Sequence, residues 1–174
     1  CPNARLFLAS SAEVFGVPAE TPQSETTLKQ PATPYGIAKL AADQFGRLHR
    51  EKYGQFVTVG MLYNHESPLR PPNYLSRRLS LGVAAIKRGE AKELQLGDLS
   101  AERDWSDARD VVQAMWLSLQ AAQPDDFVFA SGTPKRVEEF VATAFRAAGL
   151  DWREFVRTTP RTDAQQQVTL GLCG

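Results

Sequence analysis

Short apolar runs alternate along this chain with longer stretches in which apolar residues recur at helical spacing. Leu6–Ala9 is apolar on both parities, the pattern of a parallel strand buried on both faces. Gly16 to Pro34 carries Pro18, Pro22, Pro31 and Pro34 among polar residues and predicts an ordered loop. Thr33-Pro34 then predicts a helix start, with Thr33 as N-cap and Pro34 in the first position. Ile37, Leu40, Ala41, Phe45 and Leu48 form the expected inward stripe of that helix, and Gly54 its stop. Phe56–Tyr63 is the next strand, which completes a strand–loop–helix–strand unit typical of a parallel sheet.

The alternation continues. Asn64–Asn73 is a polar, proline-rich loop, and a helix follows from about Tyr74 to Arg88 with Leu75, Leu79, Val83 and Ile86 inward. Glu93–Leu96 is a short strand, Gly97–Glu102 a turn and Asp104–Asp107 a connection. The helix near Asp107–Ala121 is expected to bury Val111, Val112, Met115, Trp116 and Leu119. Phe127–Ala130 is a buried strand, and a last helix near Arg136–Ala148 turns Val137, Phe140, Val141, Ala144 and Phe145 inward before Gly149. From Thr158 onward the pattern fades. The fold class is therefore α/β: the later half of a Rossmann-type parallel sheet plus part of a smaller α/β substrate-binding domain. Residues 1–64 are assigned to the sheet domain and 65–174 to the substrate region, with 107–131 returning to the sheet.

Composition narrows the function without naming it. The chain has 20 basic and 20 acidic residues, so nothing in its charge favours nucleic acid or an anionic membrane. No apolar run approaches the roughly 20 residues of a membrane span. Cys1 and Cys173 form no metal or redox spacing, and no metal site is expected; a reducing, cytoplasmic setting is. The 12 glycines contain no G-x-G-x-x-G and no G-x-x-x-x-G-K phosphate loop. In a doubly wound nucleotide-binding domain that loop belongs to the first strand–helix turn.

The candidate chemistry lies between Arg5 and Lys39. Tyr35 and Lys39 form a Y-x-x-x-K pair, which puts phenol and ammonium on neighbouring turns of one helix face. A phenol is a poor base at neutral pH, and an ammonium one turn away favours its ionised form. Ser11 and Glu13 follow the first strand two residues apart, offering a hydroxyl and a carboxylate on one side of an extended segment. Taken singly, each pair is common on protein surfaces.

Their combination is not. A-S-S-A-E-V-F-G, P-Y-G-I-A-K, L-Y-N-H-E-S-P and R-D-W-S-D-A-R-D, in this order and spacing, resemble the extended short-chain dehydrogenase/reductase family (the NAD-dependent epimerase/dehydratase type). Within it they are most similar to the GDP-mannose 4,6-dehydratases, and the likeness runs from about Arg5 to Arg157. The resemblance implies NADP as cofactor and GDP-mannose or a related nucleotide sugar as substrate. It implies that Tyr35 is the base for oxidation at carbon 4 of the sugar and that Lys39 is its cofactor-binding partner. Glu13 is the implied acid–base group at carbon 5, and Ser11 stands where the family carries a threonine. By the same resemblance His65 and Arg70 contact the cofactor, Asn64 the substrate, and Arg78 and Arg103 the nucleotide or its pyrophosphate. The full-length family forms homo-oligomers, with dimer contacts along the helix at Tyr35–Tyr53. After Arg157 the chain departs from the family's ending, with Arg161 as a remnant of that segment. Two alternatives remain open here: a non-catalytic remnant or binding module, and another nucleotide-sugar reductase or decarboxylase. Glu13 argues against a simple epimerase, which removes no carbon 5 proton.

Overall fold

The computed structural model describes residues 3–158, so Cys1, Cys173, Arg161 and the tail beyond Thr158 lie outside it. In chain order the elements are β1 (Arg5–Ala9), a 3-10 turn (Ala12–Phe15), α1 (Pro34–Tyr53), β2 (Phe56–Leu62), β3 (Asn64–Glu66), α2 (Leu75–Lys87) and β4 (Leu94–Leu96). They continue with β5 (Glu102–Arg103), β6 (Trp105–Asp107), α3 (Ala108–Ser118), β7 (Asp126–Phe129), β8 (Lys135–Arg136), α4 (Val137–Ala147), α5 (Trp152–Phe155) and β9 (Val156–Thr158). Two compact units result: described residues 3–65 with 104–134, and 66–103 with 135–158.

The first unit is built on a parallel sheet in the order β1-β2-β7. Arg5 to Ala9 pair with Phe56 to Gly60, and Val59 to Leu62 with Asp126 to Phe129. The central strand β2 is the buried one: Val57, Val59 and Met61 are within the core. Gly60 on its opposite face lies between Phe7 and Phe129, whose rings meet edge to face at 5.6 Å. The strand β1 differs from its expected double burial, since Leu6 is 53% exposed. It ends the order of the sheet, and no other strand among the described residues pairs with its outer edge.

The caps of α1 match the sequence reading. Thr33 accepts a hydrogen bond from Gly36 N–H, Pro34 opens the helix, and Gly54 ends it at φ +63°. Its buried face does not match. Gly36, Asp43 and Gly46 face inward, whereas Ile37, Phe45 and Leu48 of the expected stripe are exposed. The reason is close approach: at Gly46 a Cβ would stand 2.9 Å from Val59 Cγ2, so the helix lies on the sheet through its glycines. Asp43, fully buried on this face, is paired with Lys29 at 3.2 Å. Further along, Arg47 Nε and Arg50 guanidinium both donate to the Asp126 carboxylate, at 2.7 and 2.9 Å, tying the helix to β7.

The same correction applies to α3. Val111 is buried and Met115 and Leu119 half-buried, but Val112 and Trp116 are exposed, Trp116 by 59%. The helix packs along one narrow edge, and Arg5 of β1 donates to the Leu119 and Ala121 carbonyls at its end. The polar loop before α1 is ordered by its own bonds: Tyr63 hydroxyl donates to Gln23 at 2.7 Å, and Glu25 accepts from Val128 N–H of β7 at 2.8 Å.

In the second unit the expected helical stripes hold. Leu79, Val83 and Ile86 of α2 and Val137, Val141 and Phe145 of α4 are buried. Gly89 and Gly149 close these helices at φ +73° and +72°. The strands β4 and β9 pair in parallel, Leu94 with Val156, and β5 and β8 pair antiparallel.

Candidate active site

The site begins where β1 runs out. Ser11 is extended (φ −149°, ψ 148°), and its hydroxyl caps the 3-10 turn by accepting from Glu13 N–H at 3.2 Å. That short turn places Glu13 directly beyond the strand, half-buried, with its carboxylate accepting from the Thr33 hydroxyl at 2.7 Å. The backbone is held as closely as the side chain. A Cβ on Gly36 would stand only 2.6 Å from the Glu13 carbonyl oxygen.

The first two turns of α1 supply the other groups. Tyr35, in the second helical position, is 52% exposed, so its phenol is open to solvent. Lys39 lies one turn on, its Nζ 5.6 Å from the centre of the Tyr35 ring. The same ammonium donates to the Ala9 carbonyl, the last of β1, at 2.8 Å. Lys39 thus bridges strand end and helix, as Thr33 bridges helix and carboxylate. Ser11, Glu13, Tyr35 and Lys39 are gathered at one end of the sheet.

Strand β2 runs parallel to β1, so its C-terminal end reaches the same side of the sheet. Asn64 and His65 follow it directly, opening β3, both half-buried. His65 Nδ1 donates to the Tyr63 carbonyl at 2.9 Å, which in the neutral ring leaves Nε2 as an acceptor. These two residues share the unit that carries Ser11, Glu13, Tyr35 and Lys39.

The three arginines belong to the second unit. Arg70 Nε donates to Glu66 at 3.0 Å and its guanidinium lies 3.8 Å above the Tyr74 ring. Ser76 donates to the same Glu66 oxygen, so Glu66 collects both. Arg78 is exposed on α2, and Arg103, on β5, donates to the carbonyl of its neighbour Glu102 at 2.6 Å.

Two acids of the R-D-W-S-D-A-R-D segment are structural. Asp104 is buried and its two oxygens accept from Ser131 and Gly132 N–H, both at 2.8 Å, which fixes the turn after β7. Asp107 caps α3, and Arg109 holds its carboxyl down to about 2, first through the guanidinium and then through its backbone N–H. No group of three or more His, Cys, Asp or Glu side chains among the described residues is placed to hold a metal ion. No helix among them is long and apolar enough to cross a membrane.

Thr33 is the residue that sequence reasoning undervalued. It read as a helix cap alone, yet a capping hydroxyl accepts the helix N–H and still has its own proton to give. That spare donor was the available signal; its recipient, 20 positions away in sequence, was not.

Comparison with known proteins gives a consistent result. The family model described as GDP-mannose 4,6 dehydratase matches residues 1–171. GDP-mannose 4,6 dehydratase 2 of Arabidopsis thaliana is 43% identical over 157 residues, covering 90% of this chain and 42% of the relative. The human GDP-mannose 4,6 dehydratase is 44% identical over 147 residues, 84% of this chain and 40% of its own. The chain thus spans less than half the length of these relatives. Among solved structures, RMD from Pseudomonas aeruginosa complexed with NADPH superimposes with a TM-score of 0.85 at 23% identity, over 98% of this chain and 61% of that one. A dTDP-glucose 4,6-dehydratase from Bacillus anthracis in complex with NAD gives 0.84 at 22%, over 99% and 53%. These two likenesses establish the α/β, Rossmann-type fold.

Proposed function

The chain belongs to the GDP-mannose 4,6-dehydratase family, and from that premise we propose that it carries the acid–base half of a site that dehydrates GDP-mannose to GDP-4-keto-6-deoxymannose. One observation supports this most. The helix that presents Tyr35 and Lys39 is fastened through Thr33 to Glu13, so phenol, ammonium and carboxylate meet at one strand end.

The reaction needs two bases because two protons leave different atoms. Tyr35 takes the hydroxyl proton at carbon 4, and the ammonium of Lys39 favours the phenolate that does so. The ketone formed there makes the neighbouring carbon 5 proton acidic. Glu13 takes that proton, the carbon 5 electron pair forms the double bond to carbon 6, and the carbon 6 hydroxyl leaves as water, with Glu13 returning the proton to it. Ser11 orients the sugar through its hydroxyl, and Asn64 hydrogen-bonds the substrate.

A nicotinamide cofactor, when bound, would supply the hydride acceptor for carbon 4 and the hydride donor for carbon 6, after which carbon 5 takes up the proton that Tyr35 accepted. The residues present fit one part of it. Lys39 Nζ, exposed on the first turns of α1 and satisfied by a single carbonyl, has two donors left for ribose hydroxyls. His65, whose Nδ1 donates to the Tyr63 carbonyl, would contact the cofactor. By the family resemblance Arg70 would contact the cofactor, and Arg78 and Arg103 the nucleotide or its pyrophosphate. NADP is the form proposed. The protein works in the cytoplasm as a homo-oligomer in this reading.

A second reading is a nucleotide-sugar-binding piece that turns nothing over. One assay separates the two. With GDP-mannose and NADP a full-length version is expected to form the 4-keto-6-deoxy product. Glu13→Gln should cut turnover by about 10²–10⁴-fold while GDP-mannose binding, read by calorimetry, stays within about twofold. Binding without product by that version would establish the second reading, and normal turnover by Glu13→Gln would remove Glu13 from its role.

A further inference from the structure

We propose that Thr33 is a positioning residue for Glu13, with its hydroxyl setting the orientation of the catalytic carboxylate as it caps α1. The proposal rests on the reading above in one respect, that Glu13 is the group that works at carbon 5. Its structural part stands on geometry alone.

A threonine hydroxyl has one proton and two lone pairs. Gly36 N–H donates to Thr33 Oγ1 at 2.9 Å, so one lone pair is committed to the helix. Glu13 Oε2 lies 2.7 Å from the same oxygen. A carboxylate has no proton to give, so the threonine proton goes to it. Both bonds are then directional, and neither can be made with the hydroxyl turned elsewhere.

Glu13 is otherwise a long side chain at the end of a short turn, with three rotatable bonds. Its backbone is fixed on two sides. Ser11 Oγ accepts from its N–H at 3.2 Å, and its carbonyl meets Gly36 Cα so closely that a Cβ there would stand 2.6 Å away. These contacts set where the side chain starts but not where it ends. The Thr33 bond fixes its end. It engages Oε2 and leaves Oε1 to meet a substrate proton, which is the division of labour a working carboxylate needs.

The bond also links two catalytic elements. Thr33 is the residue before Pro34-Tyr35, so the same N-cap that starts the helix carrying Tyr35 and Lys39 holds Glu13 in register with them. A shift of α1 along its axis would carry the carboxylate with it.

A capping role alone and a positioning role differ in what they tolerate. Thr33→Ser keeps both acceptor and donor. Thr33→Asp keeps a strong N-cap but has no proton to donate and places a second carboxylate beside the first. Crystal structures of both variants of the full chain, with thermal midpoints and steady-state kinetics, decide between the roles. Thr33→Ser should leave the Glu13 carboxylate in place and kcat within about threefold of the parent. Thr33→Asp should keep the thermal midpoint, swing the carboxylate away from residue 33, and lower kcat by about 10–100-fold with KM unchanged. Should the aspartate variant fail to fold, Thr33→Gly, also a tolerated N-cap, gives the same readout. A Glu13 carboxylate that keeps its position without the Thr33 donor overturns the proposal, as does an unchanged kcat in a variant whose carboxylate has moved. If the parent itself turns over no GDP-mannose, the functional reading fails while the crystallographic position still decides for or against Thr33.

Discussion

Gly36 shows how a single residue can carry opposite expectations. In the interior of a helix, glycine-to-alanine replacement ordinarily stabilises by up to about 1 kcal/mol, because glycine has more backbone freedom to lose. At Gly36 the added Cβ would stand 2.6 Å from the Glu13 carbonyl oxygen and 2.9 Å from Pro31 Cβ. The first of these is backbone and cannot turn aside. Overpacking of this kind costs about 1–3 kcal/mol, which exceeds the propensity gain. Gly36→Ala is therefore expected to lower the unfolding free energy by about 1–2 kcal/mol net, and with it the urea midpoint, and to displace the turn that holds Glu13. A higher midpoint in that variant would show that the turn yields easily, and with it that the placement of Glu13 is soft.

At the scale of elements, the ends of helices were more legible than their faces. Thr33-Pro34 and Gly54 marked α1 from the sequence, because capping is local chemistry that residues within a turn decide. Its face was misread because periodicity counts what side chains contribute, and Gly36 and Gly46 contribute by having none. Asp43 on the same buried face could be placed only once Lys29 was known to meet it. In α3 the hydrophobic period included Val112 and Trp116, but a helix that packs along one edge needs only Val111, Met115 and Ser118 at that edge. The site shows the same division. That Ser11, Glu13, Tyr35 and Lys39 lie near one strand end could be expected from motif spacing, whereas the Thr33–Glu13 and Lys39–Ala9 bonds join residues 20 and 30 positions apart and needed the fold. The cap of α3 gives a pH prediction. Asp107 sits at about 2 rather than 3.8 because Arg109 binds it through side chain and backbone. A lowered folded-state value means that its contribution is fully present above about pH 4 and is lost as pH falls toward 2. A carboxyl-carbon NMR titration of Asp107 should have its midpoint near 2 at low salt and move upward in 0.5 M KCl, since the pair is exposed and screened. A midpoint near 3.8 at low salt would mean that the Arg109 contact is not held in solution.

Among the described residues, α1 keeps several apolar side chains in solvent. Ile37, Phe45 and Leu48 are exposed along one stripe, Phe45 by 63%, while the opposite face of the helix lies on the sheet. Scattered exposed apolar residues are normal, but a contiguous stripe flanked by polar positions marks an interaction surface. In the homo-oligomer proposed above, a second copy of the chain would cover this stripe. The magnitudes set the strength. Burying a side chain of this size fully is worth about 1.5–3 kcal/mol, and these are already partly covered. Three from each copy supply roughly 10 kcal/mol against an association cost of about 4–15 kcal/mol. The stripe alone therefore supports at most a weak dimer, with a Kd no tighter than tens of micromolar. Sedimentation velocity at increasing protein concentration should show the monomer giving way to a dimer. Phe45→Glu should hold the chain monomeric across that range with unchanged helix content by circular dichroism, because the residue makes no part of the sheet-facing surface of α1. A dimer that persists in Phe45→Glu would place the contact on another face.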